Sequence, residues 1–193
     1  MIRSAIDRLV SFSGIVIAAV LLVAGVMLSW GQSYVHGQVH DQLAAQKIFF
    51  PPQGSESLSD PKVGPYLNKY AGQQLVTGEQ AKAYADHFIK VHLDEMTGGQ
   101  TYAQLSTKAL ASPDDQKLAA QVNTVFRGET LRGLLLNAYA FDTMASIAFI
   151  ASIVAYLGAG LMLLLAGIGF GHARSAGKAT EVPAYPAREM INA

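Results

Sequence analysis

His36 and His40 stand four residues apart in a stretch where only Gly37 interrupts helical character. One helix face could therefore present both imidazoles to a single metal ion, with Asp41 or Glu129 supplying an oxygen. No third ligand is fixed by spacing. The structural alternative is a pair of amphipathic histidines at a headgroup boundary, bonded to backbone or to polar groups opposite them. His87, His92, Asp94 and Glu95 form a second polar cluster, in which the five-residue histidine spacing turns the rings partly apart and suits a solvated face. Serine, histidine and aspartate all occur, yet no nucleophile elbow, HExxH or phosphate-cradling glycine loop assigns them roles. The chain has 0 cysteines, which removes a disulfide framework, a thiol nucleophile and thiolate-held metals. The expectation is a protein that is not an enzyme and uses no cofactor, with metal or small-ligand binding at His36 and His40 as the alternative.

The elements that would position these groups begin with two uncharged apolar runs, Leu9 to Trp30 and Thr143 to Phe170. A hydrocarbon core of roughly 30 Å needs about 20 apolar residues at 1.5 Å rise, and both runs meet that length without having to desolvate an ion. A cleaved secretory signal is the lesser reading of the first run. Its apolar stretch exceeds the roughly 7–15 residues of a signal core, and Leu28-Ser29-Trp30 is not a small-x-small cleavage site. Arg3 and Arg8 precede the first run while His172, Arg174 and Lys178 follow the second, which favours cytoplasmic ends; Arg127 and Arg132 on the opposite flank weaken that bias.

The predicted architecture is an all-α membrane protein, an antiparallel two-helix transmembrane hairpin with long protruding helices and a small helical extracytoplasmic domain. Its parts are a cytoplasmic N-terminus (1–8), a first span (9–30), an extracytoplasmic helical domain (31–142), a second span (143–170) and a disordered cytoplasmic tail (171–193). Trp30, Tyr34, Tyr139 and Phe141 are expected at the outer interface. A formal net charge of +0 gives no basic excess to suggest a nucleic-acid partner.

Within the middle segment the periodicity is helical. Val35, Val39 and Leu43 share a face, so the first helix is expected to run on to Ile48, where Pro51-Pro52 stops it. Residues 53–64 read as loop, and 65–71 as a short helix with proline at its start and Gly72 beyond its end. Thr77 and Gln80 form a capping-box pattern ahead of the stripe Ala81, Tyr84, Ala85, Phe88, Val91, and Gly98-Gly99 ends that helix. Tyr66, Tyr70, Tyr84 and Phe88 are expected as core rather than as a ligand cage.

Residues 102–110 form a shorter amphipathic piece. Ser112-Pro113-Asp114-Asp115 then opens a helix that meets no proline before Phe170, with Leu118, Val122, Val125 and Phe126 buried and Gly128 and Gly133 as weak points. Levelling Trp30 with residue 143 places His36 near Asn137 and Gln32 near Asp142. Small residues at four-residue spacing suit close helix packing in lipid: Gly14 and Ala18, Gly25 and Ser29, Ala151, Ala155 and Ala159, Gly167 and Gly171.

The stretches AQKIFFPP (45–52), YAGQQLVTGEQAKAYADHFIKVHL (70–93) and FRGETLRGLLLNAYAF (126–141) resemble a group of uncharacterised two-pass membrane proteins from actinobacteria. Some members carry an aromatic-ring-opening dioxygenase label. Iron chemistry of that type needs two histidines and a carboxylate about one metal with open positions, and no motif here fixes such a triad. The function expected is a non-enzymatic accessory or scaffold subunit of a bacterial cell-envelope membrane complex. Its partners would be the lipid bilayer and other membrane subunits or further copies of itself, and Arg127, Glu129 and Arg132 would form the contact surface. A homo-oligomeric pore is the third reading, with only Thr143, Ser146, Ser152 and Tyr156 to line it.

Overall fold

The computed structural model describes residues 2–178. Among them the regular elements are helices joined by turns and loops, with one isolated β-bridge, Phe49 to Gln74. The elements are α1 (Ile2–Ala45), α2 (Glu56–Ser59), α3 (Gly64–Leu67) running into a 3-10 turn (Asn68–Tyr70), α4 (Gly78–Tyr84), a π turn (Ala85–Ile89), α5 (Lys90–Thr97), α6 (Tyr102–Ala111) and α7 (Gln116–Lys178). Both α1 and α7 are long and apolar enough to cross a membrane. The chain divides into two compact units: residues up to Ser29 with those from Ile150 on, and Trp30–Phe149.

In the first unit, side-chain size is sorted against the usual rule. Ser11, Ala18 and Gly25 of α1 are buried at seven-residue intervals, as are Ser152, Ala159, Ala166 and Ala173 of α7. A seven-residue repeat keeps one helix face against a neighbour along its length. Contacts across the seam are close: a Cβ added to Gly14 would meet the Ala166 Cβ at 3.4 Å, and one added to Gly25 would lie 2.7 Å from the Tyr156 ring. Gly158 faces Leu21, Gly169 faces Ser11, and the Ser29 and Tyr156 hydroxyls are 3.2 Å apart. Gly167 and Gly171 have open space where a Cβ would go, so the formal GxxxG lies off the seam. Large apolar side chains point away from it, Leu9 and Leu157 among them at 68% and 70% exposure.

The second unit has an ordinary core. Val39, Leu43, Phe50, Leu58, Val63, Leu67, Leu75, Ala81, Ala85 and Leu135 form the main cluster, and Leu93, Leu105 and Val125 a smaller one. The expected α1 stripe is therefore seated as its spacing implies, although the helix ends at Ala45. Lys47 takes a left-handed φ of 54°, and two 3-10-type bonds from Gln46 and Lys47 close the end before the prolines are reached. Thr77 and Gln80 make the reciprocal capping box, worth about 1 kcal/mol. Gly98, in the left-handed conformation, closes α5.

Five local readings are corrected. Residues 53–64 contain the short α2, because Ser55 accepts bonds from both Leu58 and Ser59. Asp115, and not Ser112, caps α7, its carboxylate accepting from the Leu118 N–H at 3.0 Å. Phe126 is 54% exposed and packs beside Tyr102, because Val125 takes the buried position. Gly128 is a contact rather than a weak point: a Cβ there would press on the Leu93 side chain at 2.7 Å. The helix of the second apolar run continues past Phe170 to Lys178, there being no proline before Pro183. The rest of the expected tail, 179–193, lies outside the described residues.

Candidate functional site

The polar centre of the second unit is Asp142. Its Oδ2 accepts from the Gly78 N–H at 3.2 Å, at the first turn of α4, and its Oδ1 lies 2.7 Å from His36 Nδ1. The His36 contact is ionic when the imidazole carries its second proton, but it is misaligned for a hydrogen bond. Only 16% of the Asp142 side chain is exposed, against 53% of His36. Gly78 is required here, since any Cβ would collide with the Asp142 side chain. One carboxylate thus ties α1, α4 and α7 together.

The expected register is corrected accordingly. His36 faces Asp142 rather than Asn137, because close contacts, and not the ends of the apolar runs, set which residues meet. His40 turns to its neighbour Asp41 at 3.1 Å. Among the described residues, no group of three histidine, aspartate or glutamate side chains is arranged to hold a metal.

About two turns beyond Gly78, Asp86 sits in the π turn between two cations, Lys82 at 2.5 Å and Arg132 at 3.3 Å; Arg132 also reaches Glu129 at 3.3 Å. Burial opposes the Asp86 charge, but the bonds and charge from Lys82, then Arg132, outweigh it and hold the carboxyl below its usual range. The same bond raises Lys82, which lies over the Tyr139 ring at 5.4 Å. Arg132 is consequently inside the unit's own ion network, while Arg127 is exposed on the α7 face that also carries Gln116, Asn123 and Thr124. The expected Arg127, Glu129, Arg132 surface is split between these roles. Lys82 and Asp86 were the missing partners, and their i, i+4 spacing is the signal that marks them.

Glu79 anchors a third cluster, accepting from Lys69 Nζ at 2.8 Å and the Tyr70 hydroxyl at 2.7 Å. The bond from Lys69, then that from Tyr70, depresses the Glu79 carboxyl and raises the Lys69 ammonium. Burial raises the Tyr70 and Tyr84 hydroxyls. Tyr70 and Tyr84 both pack on buried Phe50, and Phe88 stacks on Tyr84, so these rings are core; Tyr66 is 48% exposed and stacks on His87 at 3.6 Å. His92 bonds the Phe88 carbonyl, Asp94 pairs with Lys90, and Glu95 pairs with Lys62.

The hydroxyls considered for a pore have these surroundings. Thr143 donates to the Tyr139 carbonyl, Ser146 to the Asp142 carbonyl, Tyr156 meets Ser29, and Ser152 is buried. Chemically the arrangement can clamp helices together. No known protein family, curated protein or solved structure matches the chain.

Proposed function

We propose that the chain is a non-enzymatic accessory or scaffold subunit of a membrane complex in the bacterial cell envelope. In this reading α1 and α7 form an antiparallel transmembrane hairpin, both ends are cytoplasmic, and residues 31–142 lie on the extracytoplasmic side. The observation that carries it is the inverted sorting in the first unit, where large apolar side chains are exposed and serine, alanine and glycine are buried. Such a surface is costly in water at about 25 cal/mol per Å² and costs nothing against lipid tails. Partner numbers that fall along α7 as they rise along α1 (Ser11 with Gly169, Gly14 with Ala166, Leu21 with Gly158) support the antiparallel sense. The scaffold role is supported by polar groups spent on clamping helices, and by an exposed Arg127 face free to meet another subunit.

Because the chain has 0 cysteines, introduced thiols report alone. Lys117→Cys should react with a membrane-impermeant maleimide on intact cells, and Ser175→Cys only after permeabilisation. The reverse pattern would overturn the topology. Mild detergent extraction should recover the protein with stoichiometric partners; a clean monomer showing turnover would overturn the scaffold role. The metal-binding alternative has no observation in its favour, since His36 and His40 turn to different carboxylates.

A further inference from the structure

A slot of about 390 Å³ runs along the second unit between the outer part of α1 and α7. Its floor is the buried Val39, Leu43 and Leu135, and its walls include Leu134 and Phe141, which are 62% and 56% exposed. Gln42, Gln46 and Asn137 are its polar members, and no ionisable side chain lines it. We infer that this slot binds one acyl chain of a membrane lipid, an inference that rests on the membrane reading above.

The dimensions choose the occupant. From Leu131 to Phe141 the slot follows ten residues of α7, about 15 Å at 1.5 Å per residue. Its volume over that length leaves a section of roughly 26 Å². That section suits a single file of methylenes running the length of the slot. An acyl chain asks for no hydrogen bonds inside the slot, which matches the uncharged apolar walls. The amides of Gln42, Gln46 and Asn137, spaced along the lining, are the groups that can donate to an ester carbonyl. Access is provided by α7 itself: Phe141 is two residues from Thr143, where the second apolar run begins, and Met144 and Ile147 continue the exposed apolar surface at 62% and 61%.

The test uses the full chain in phospholipid nanodiscs containing a trace of phosphatidylcholine with a diazirine on one acyl chain. After irradiation, peptides spanning 131–141 should carry label alongside peptides of the two apolar runs. Leu134→Trp, which fills the slot, should lower the 131–141 label about tenfold, equal to about 1.4 kcal/mol, and leave the label at Leu157 unchanged. Leu134→Gln, which keeps the volume but adds a polar group, should lower it in the same sense. Label confined to the apolar runs overturns the slot and leaves the membrane reading standing. Absence of label everywhere overturns the membrane reading. Undiminished label at 131–141 in both variants, or a protein–protein cross-link there in its place, overturns acyl binding.

Discussion

The same two helices, α1 and α7, build both units, yet they are solved as opposite packing problems. In the first unit α1 presents Ser11, Ala18 and Gly25 inward and α7 presents Ser152, Ala159 and Ala166, so contact is made by backbones brought close together. In the second, the same helices turn Val39, Leu43 and Leu135 inward and join them to Leu58, Leu67 and Leu75 from the intervening segment. The ion pairs of Asp86 with Arg132 and of Glu79 with Lys69 both lie in the second unit. The difference teaches that one continuous helix can change its mode of packing along its length by changing which size of residue faces its partner. The first pattern rests on close contact between small residues, the second on withdrawing large apolar side chains from solvent.

Truncation at matched leucines is the strongest way to break this contrast. Leu67→Ala, at a fully buried site, should cost about 2–5 kcal/mol, read as a lower denaturant midpoint by circular dichroism in nanodiscs. Leu157→Ala, 70% exposed in the first unit, should leave that midpoint unchanged; equal losses would mean that Leu157 is not facing lipid. Enlarging glycines comes next. Gly25→Val drives a side chain into the Tyr156 ring and should cost about 1–3 kcal/mol, while Gly167→Val, with open space, should be neutral.

Charge removal sharpens the comparison from the other side, because it should register in the second unit alone. Asp86→Asn should destabilise by about 1–3 kcal/mol at neutral pH by leaving Lys82 and Arg132 without their shared partner. The Asp86 carboxyl is held below its unfolded value, so its contribution is present above the unfolded pKa and is lost as pH falls through the folded one. The variant should therefore show a flatter acid limb in a pH series of unfolding midpoints, and an unchanged limb would count against the network. Glu79→Gln should act in the same direction with the smallest effect, under about 1 kcal/mol, because its side chain is 72% exposed and screened by water.

The helices were legible because their signals are local. The apolar runs, the Thr77 and Gln80 box and the glycines after Thr97 each act within a few residues, and each produced the element expected. What escaped depended on contacts distant in sequence. His36 and Asp142 meet across more than a hundred residues, and matching the ends of apolar runs misplaced that meeting by five. The seam was legible in part: Gly14, Ala18, Gly25, Ala155 and Ala159 sit on it, whereas Gly167 and Gly171 face open space, and Ser11, Ser152 and Ala166 extend it at seven-residue intervals. Arg132 was read as surface since its partner Asp86 lies on another helix, 46 positions away.

The π turn at Ala85–Ile89 has a consequence for how this domain tolerates change. Ala81 and Ala85 serve the larger core, Leu93 serves the smaller one opposite Gly128, and Ile89 leans on both. A π turn houses one residue more than the α-helical turn it replaces. Removing a single residue from 85–89 would restore a regular helix with both flanks still in phase, whereas the same deletion one turn later would swing Leu93 off its glycine. Length is negotiable at that one place and rigidly fixed on either side of it.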